Sequence, residues 1–344
     1  MYTTNTEINN QLSIWLIVMF CIISFMIIVG GLTRLTDSGL SITEWELFRG
    51  FIPPISKSDW ENYFSLYKQI PEYKLQNFNM NITEFKIIFW WEWVHRFLGR
   101  LIGLTFFIPL IYFAFKKGLK ETKSLIFIFL LICFQGFLGW FMVKSGLINR
   151  VDVSHFRLSM HLTTAFVILS LILWQILKCK NLSINESHFI KYNLPLIFLL
   201  IIFLQIIFGA FVSGMDAGKI YNSWPLMGNS YFPDDNNIIN LFKLSAFNDP
   251  SLVQFIHRNL AYIIVIFYLF IVYKIYKAKM FGLYKSVNVL GILLIFQIIL
   301  GIVTVLYGAQ IYIASVHQIS SIFLVSACIY FYFINTKSNL QPSN

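Results

Sequence analysis

Charge is what this sequence lacks most. Only 12% of its 344 residues are charged, about half the roughly 25% of a soluble globular domain. That leaves too little charge to cover a water-facing surface. A soluble enzyme, a disordered chain and a nucleic-acid binder are therefore excluded, despite a net charge of +10. Cysteine is also sparse. Cys21, Cys133 and Cys328 lie inside apolar runs and Cys179 in a short Lys-flanked loop. There is no C-x-x-C and no pair within one loop, so neither a redox dithiol nor a zinc site is indicated, and small apolar filler is the plainer reading. Carboxylates are almost absent from the apolar runs, which removes the acidic partners a transmembrane proton relay needs. The N-terminal MYTTNTEINN lacks the Arg-rich character of a transit peptide, and the apolar run after it is too long for a removable signal.

What is present is apolar length. Hydrophobic residues make up 57% of the chain, and the mean hydropathy is +0.69. A spanning helix needs about 20 mostly apolar residues. Such runs fall at roughly 12–34, 90–113, 124–143, 158–177, 192–213, 254–273, 286–307 and 313–334. They are continuous rather than alternating, so they read as helices. The expected fold is an all-α integral membrane protein of eight spans, with both termini on one side. The loops 114–123, 178–191 and 274–285 carry 11 lysines in 36 residues, whereas the loops on the other side carry 10 basic residues in 114. The positive-inside rule then places both termini in the cytoplasm. The long loops 35–89 and 214–253 face outward, with enough Trp, Tyr and Pro for short amphipathic caps.

The two halves repeat each other. GGLTRLTDSG at the end of span 1 matches GAFVSGMDAG at the end of span 5, at an offset of 179 that also pairs Trp45 with Trp224 and Pro54 with Pro233. VHRFLGRLIG matches IHRNLAYIIV, and FQGFLG matches FQIILG, both at 162. SMHLTTA matches SVHQISS at 156. Both halves start inside and hold four spans, so the repeat is parallel: two tandem four-helix bundles, 1–180 and 181–344. It is not the inverted kind found in many transporters.

His95, His161, His257 and His317 sit one per even-numbered span. Each lies one to two turns inside the outer end, roughly 5–9 Å deep at 1.5 Å per residue. One intramembrane His is ordinarily a hydrogen-bonded interface residue. Four at matched depth, paired by a repeat, point instead to two facing imidazoles per bundle, an arrangement that holds a heme iron. Arg96 and Arg258 follow His95 and His257 directly, either to bind heme propionates or to snorkel to the interface. His155 stands at the outer boundary, where a propionate would come within reach, and His188 reads as a solvated loop residue.

The repeat is broken in two places. Glu92 shares a helical face with His95, and its counterpart is the neutral Gln254. Arg157 lies one turn before His161, and its counterpart is Ile313. Glu92 is either an acid–base group or a wetted carboxylate at a helix start. The first reading gives an N-terminal site for chemistry and a C-terminal site for electron transfer.

Together GGLTRLTDSGLSITEW, EWVHRFLGR, FQGFLGW, RLSMHLTTA, IHRNLAY and SVHQISS resemble the heme A synthase family over essentially the whole chain. That resemblance implies oxidation of the C8 methyl of heme O to a formyl group through successive hydroxylations, in the service of cytochrome oxidase assembly. It implies that His95 and His161 bind the substrate heme, that His257 and His317 hold a heme b cofactor, and that Glu92 is the glutamate of the family's E-x-x-H motif. The positions of the residues themselves add Arg96 and Arg157 to the first site and Arg258 to the second. Some members carry a cysteine pair in the first outer loop. Loop 35–89 has no Cys, so the likeness is to the cysteine-free proteobacterial and mitochondrial branch.

The competing expectations are a diheme b-type electron carrier and a heme transporter or chaperone. Hemes confined to one layer could not cross the membrane, and a carrier has no use for Glu92 on one side only. A heme O-forming farnesyltransferase is the candidate protein partner; the electron donor is not named by the sequence. Without a transit peptide, the bacterial inner membrane is expected rather than the mitochondrial one.

Overall fold

The computed structural model describes residues 2–180, 189–191 and 193–339. His188 lies outside the described residues. Among those residues the chain is helical, without named strands: α1 (Tyr2–Leu35), α2 (Lys57–Tyr67), α3 (Pro71–Leu75), α4 (Ile82–Lys117), α5 (Lys123–Asn149), α6 (His155–Cys179), α7 (Leu194–Gly214), α8 (Pro250–Lys277), α9 (Phe281–Leu306) and α10 (Ile311–Asn339). Eight of these are long and apolar enough to cross a bilayer. The protein is therefore an all-α, multi-pass membrane protein. Ile108, Phe127, Ile266 and Ile292 are more than half exposed in mid-helix, which suits contact with lipid rather than water.

The helices overrun the apolar runs where capping residues extend them. α4 starts at Ile82, not near residue 90, because Asn81 accepts from Thr83 N and Glu84 N while Glu84 reaches back to Asn81 N. That reciprocal capping box starts the helix outside the apolar stretch. α8 starts at Pro250 because Asp249 caps Leu252 N and proline suits the first helical position. Past α1 and α7 the chain turns at Asp37 and Asp216, at φ 48° and 51°. Aspartate is among the few residues that tolerate this left-handed region, and the two positions are 179 apart.

The chain forms two compact units, Cys21–Ala165 and Met1–Phe20 with Phe166–Asn344. In the first, the segment after α1 folds over the N-terminal end of α4. Trp60, Phe64 and Tyr67 of α2 pack on Phe85 and Phe89 of α4, with ring centroids 5.0 Å apart for Trp60–Phe89 and for Phe64–Phe85. In the second, the segment after α7 is built of short 3-10 turns stapled by side chains: Asp235 accepts from Tyr221 Oη and Ser251 Oγ.

Under the first cap lies a group that apolar patterning does not reveal. Glu72 is only 3% exposed and accepts from Tyr67 Oη at 3.0 Å. Burial pushes its carboxyl up to about 8, helped by the neighbouring charges of Glu92, Asp152 and Asp37 and opposed by the Tyr67 hydrogen bond. An acid whose folded value exceeds its unfolded one holds more protons folded than unfolded between the two, so stability falls as pH rises through that window. The cap should therefore loosen between about pH 4.5 and 8, and Glu72→Gln should remove that slope. Amide exchange in α2 and α3 across this range checks it; an identical slope in the variant would contradict it.

Candidate functional site

α4 and α6 bring His95 and His161 face to face. Their ring centroids are 6.3 Å apart and their planes differ by 26°. A metal–imidazole bond is about 2 Å and a ring nitrogen lies about 1 Å from its centroid, so two rings sharing one metal ion from opposite sides stand roughly 6 Å apart. His257 and His317 are electrostatic neighbours in the other unit. All four rings are half-buried, and the Nδ1 atoms of His161 and His257 are buried without a hydrogen-bond partner among the described residues. Among those residues no group of three or more His, Cys, Asp or Glu could enclose a metal ion. Two imidazoles at this separation would suit a flat macrocycle that brings its own nitrogen donors to the iron.

Each ring is seated against a glycine of the preceding membrane helix. A Cβ on Gly30, Gly139, Gly209 or Gly301 would meet Cε1 of His95, His161, His257 or His317 at 2.9, 3.1, 3.2 and 3.0 Å respectively. Those contacts are tighter than ordinary van der Waals distances, so only glycine lets the imidazole lie this close. The motifs GGL, FLG, FGA and ILG carry these glycines. Their spacing to the histidines is legible only once the helices are paired.

Glu92 is 3% exposed and receives four hydrogen bonds. Ser41 Oγ and Ile42 N donate to one oxygen, each at 2.7 Å. Arg96 Nε and Nη2 donate to the other at 3.0 and 2.6 Å. Arg96 also donates to the carbonyls of Ile42 and Glu44 and lies over the Trp45 ring. One turn on, Arg100 holds the carbonyls of Glu46, Leu47 and Gly50. In the other unit Arg258 donates to the carbonyls of Tyr221, Ser223 and Leu226, which stand 179 residues after Ile42, Glu44 and Leu47. Arg96 and Arg258 thus clamp the loops that follow α1 and α7, at positions 179 apart, through their guanidinium groups. Gln254 takes the place of Glu92 with reversed polarity: its Nε2 donates to the Tyr221 carbonyl at 3.1 Å, and its Oε1 is buried without a partner.

Arg157 is less committed. Its guanidinium lies 4.6 Å over the Phe141 ring, half-buried, and no hydrogen bond or ion pair ties it to another described residue. His155 is buried beside Phe156 at the start of α6. Gly30 and Gly209 stand out in the sequence as matched positions of the repeat, but not as seats for the histidines, and Ser41, Arg100 and Glu72 do not stand out at all. For Ser41 and Glu72 no spacing signal exists, because each meets its partner through a loop.

Residues 13–329 match the family model described as cytochrome oxidase assembly protein. The chain is 47% identical over 342 residues to the heme A synthase of Pelagibacter ubique, covering 98% of this chain and all of that protein. It is 44% identical to the heme A synthase of Rickettsia bellii, over 94% of this chain and 98% of that one. It is 40% identical to that of Flavobacterium johnsoniae, over 94% and 97%. Matches of this identity over nearly the full length of each protein place the chain in the cytochrome oxidase assembly protein family that holds the heme A synthases.

Proposed function

We propose that this protein carries out the heme A synthase reaction, oxidising the C8 methyl of heme O to the formyl group of heme A. It would do so as a multi-pass protein of the bacterial inner membrane with both termini in the cytoplasm. The observation that carries the reading is the opposed His95–His161 pair, whose ring centroids stand 6.3 Å apart, a separation at which both imidazoles could hold one iron. We assign that pair to the substrate heme in the N-terminal bundle, 1–180. His257 and His317 are assigned to a heme b cofactor in the C-terminal bundle, 181–344. The matched left-handed turns, seating glycines and loop clamps support a parallel repeat. When bound, heme b supplies one-electron redox chemistry at the outer layer of the membrane.

The chain's own residues do the rest. His95 and His161 fix the depth and tilt of the substrate heme, and Gly30 and Gly139 set how far each imidazole can retreat. Arg157, which pairs with no anion among the described residues, is placed to take a propionate. Glu92, through Ser41, Ile42 and Arg96, holds segment 41–44 over the first turns of α4. A carboxylate with four donors can handle a proton only by releasing one of them, so the loop clamp and the acid–base role are two aspects of one network. A heme O-forming farnesyltransferase is the partner this substrate implies.

The seating of the rings is open to direct test. Gly301→Ala puts a methyl 3.0 Å from His317 Cε1, a clash relieved only by moving the ring. The heme b absorption band should broaden or shift toward high spin while the protein still inserts and folds. An unaltered spectrum would show that the glycine does not set the ligand. For the reaction itself, heme O supplied to membranes holding the protein should be converted to heme A, and Arg157→Ala should raise the heme O concentration needed about tenfold or more, in line with loss of one charge-assisted pair.

A further inference from the structure

Three of the four histidines share a support that the fourth, His95, lacks. One turn before the seating glycine stands a glutamine in three cases: Gln135 before Gly139, Gln205 before Gly209 and Gln297 before Gly301. Each donates its Nε2 across to the backbone carbonyl of the histidine on the next membrane helix, at 2.9 Å to His161 and 3.0 Å to His257 and His317. The amides of Gln205 and Gln297 also come within 3.4 and 3.3 Å of a ring nitrogen of their own histidine. Gln297 is itself held by Ser320 Oγ. The fourth place, one turn before Gly30, is Met26. Its methyl packs against Gly99, one turn beyond His95, where an added Cβ would meet it at 3.6 Å.

A thioether has no proton to give and accepts weakly, and its side chain is the most adaptable of the apolar ones. Three ligand-bearing helices are therefore latched to their neighbours at the backbone carbonyl of the ligand residue itself. Among the described residues His95 has no such bond; α1 reaches α4 one turn earlier, where Thr33 Oγ1 donates to the Trp91 carbonyl at 3.4 Å. Groups that steady a metal-bound histidine from behind are worth about 10–100-fold in metal affinity. The geometry points to Met26 as the positioning residue that makes His95 the exchangeable ligand of the N-terminal pair.

The inference rests on that pair holding the substrate heme, and it explains the placement. A resident cofactor wants both ligands fixed, and Gln205 and Gln297 latch both. A substrate must arrive and a product must leave. Breaking the bond to His95, with His161 still latched by Gln135, lets this happen without loosening the whole bundle. The released imidazole keeps its lone pair and takes no proton, and an external neutral ligand can occupy the vacated position.

Carbon monoxide is the probe, added to the reduced, full-length protein carrying both hemes, with binding followed by the Soret band and heme content by extraction. The wild type should bind CO at the N-terminal heme only. Met26→Gln should weaken that binding about 10–100-fold and retain more heme O or heme A on washing. Gln297→Met should do the reverse at the other site, giving heme b a CO-binding fraction. Because the two variants test the latch in opposite directions and in different units, a folding failure in one leaves the other decisive, with heme content as the check. Met26→Gln with its N-terminal heme present and wild-type CO affinity would overturn the inference, and so would Gln297→Met with an inert heme b. If no heme O or heme A accompanies the protein and His161→Ala leaves the pigments unchanged, the substrate-heme assignment fails, and the Met26 argument fails with it.

Discussion

Glu92→Gln should lower the yield of heme A about 10²–10⁴-fold, the usual range when an acid–base group is removed from a slow step, while heme b in the C-terminal unit stays bound. Gln254 makes the substitution look mild, since the chain itself carries Gln at the equivalent place. The structure shows why it is not. Gln254 faces a carbonyl, to which it donates, whereas Glu92 faces four donors. An amide at 92 must turn its NH₂ toward Arg96 or toward Ser41 and Ile42, and only the Ser41 hydroxyl can reverse its role. The Glu92–Arg96 pair is 4% and 10% exposed, and removing one partner of a buried pair costs about 3–5 kcal/mol. Heme O should accumulate in its place. Ser41→Ala leaves three donors and should cost about 10–100-fold, the scale of one hydrogen bond to a charged group at about 1.5–3 kcal/mol. A Glu92→Gln protein with normal heme A yield and rate would end both roles assigned to this residue.

Replacing His257 or His317 by Ala should have an equally large effect on pigment. On the proposed assignment each substitution removes one of the two imidazoles that would hold heme b, so the low-spin heme b band should turn high-spin or vanish. Heme A production should fall with it if electrons reach the substrate site through heme b. Gly209 and Gly301 hold the two rings in place, and His257 and His317 are the only histidines among the described residues of this unit. Unchanged low-spin spectra in both single variants would remove the cofactor assignment.

The two predictions draw on different depths of the sequence. The eight helices were legible because an apolar run of about 20 residues has few other fates. Their ends were not, since Asn81 and Asp249 extend helices by capping rather than by hydropathy. The four histidines were legible because a repeat displayed them twice. Glu92 was found because the repeat broke there, but its partners were invisible: Ser41 and Ile42 reach it through a turn fixed by Asp37, and no spacing rule links positions about fifty apart. The guanidinium groups of Arg96 and Arg258 also gave more than their positions suggested, since both are spent on loop carbonyls. The Q-x-x-x-G pattern stood in plain sight in three helices, yet its meaning depends on which histidine lies across from it.

The central claim is that one chain holds two hemes with different fates, one resident and one processed. Extraction and chromatography of the hemes from the purified full-length protein test it most directly. The account predicts heme b together with heme O, heme A or a hydroxylated intermediate, with His95→Ala or His161→Ala depleting only the second class and His257→Ala or His317→Ala depleting heme b. Heme b as the sole pigment, lost in equal measure from all four variants, would contradict it and leave a diheme electron carrier.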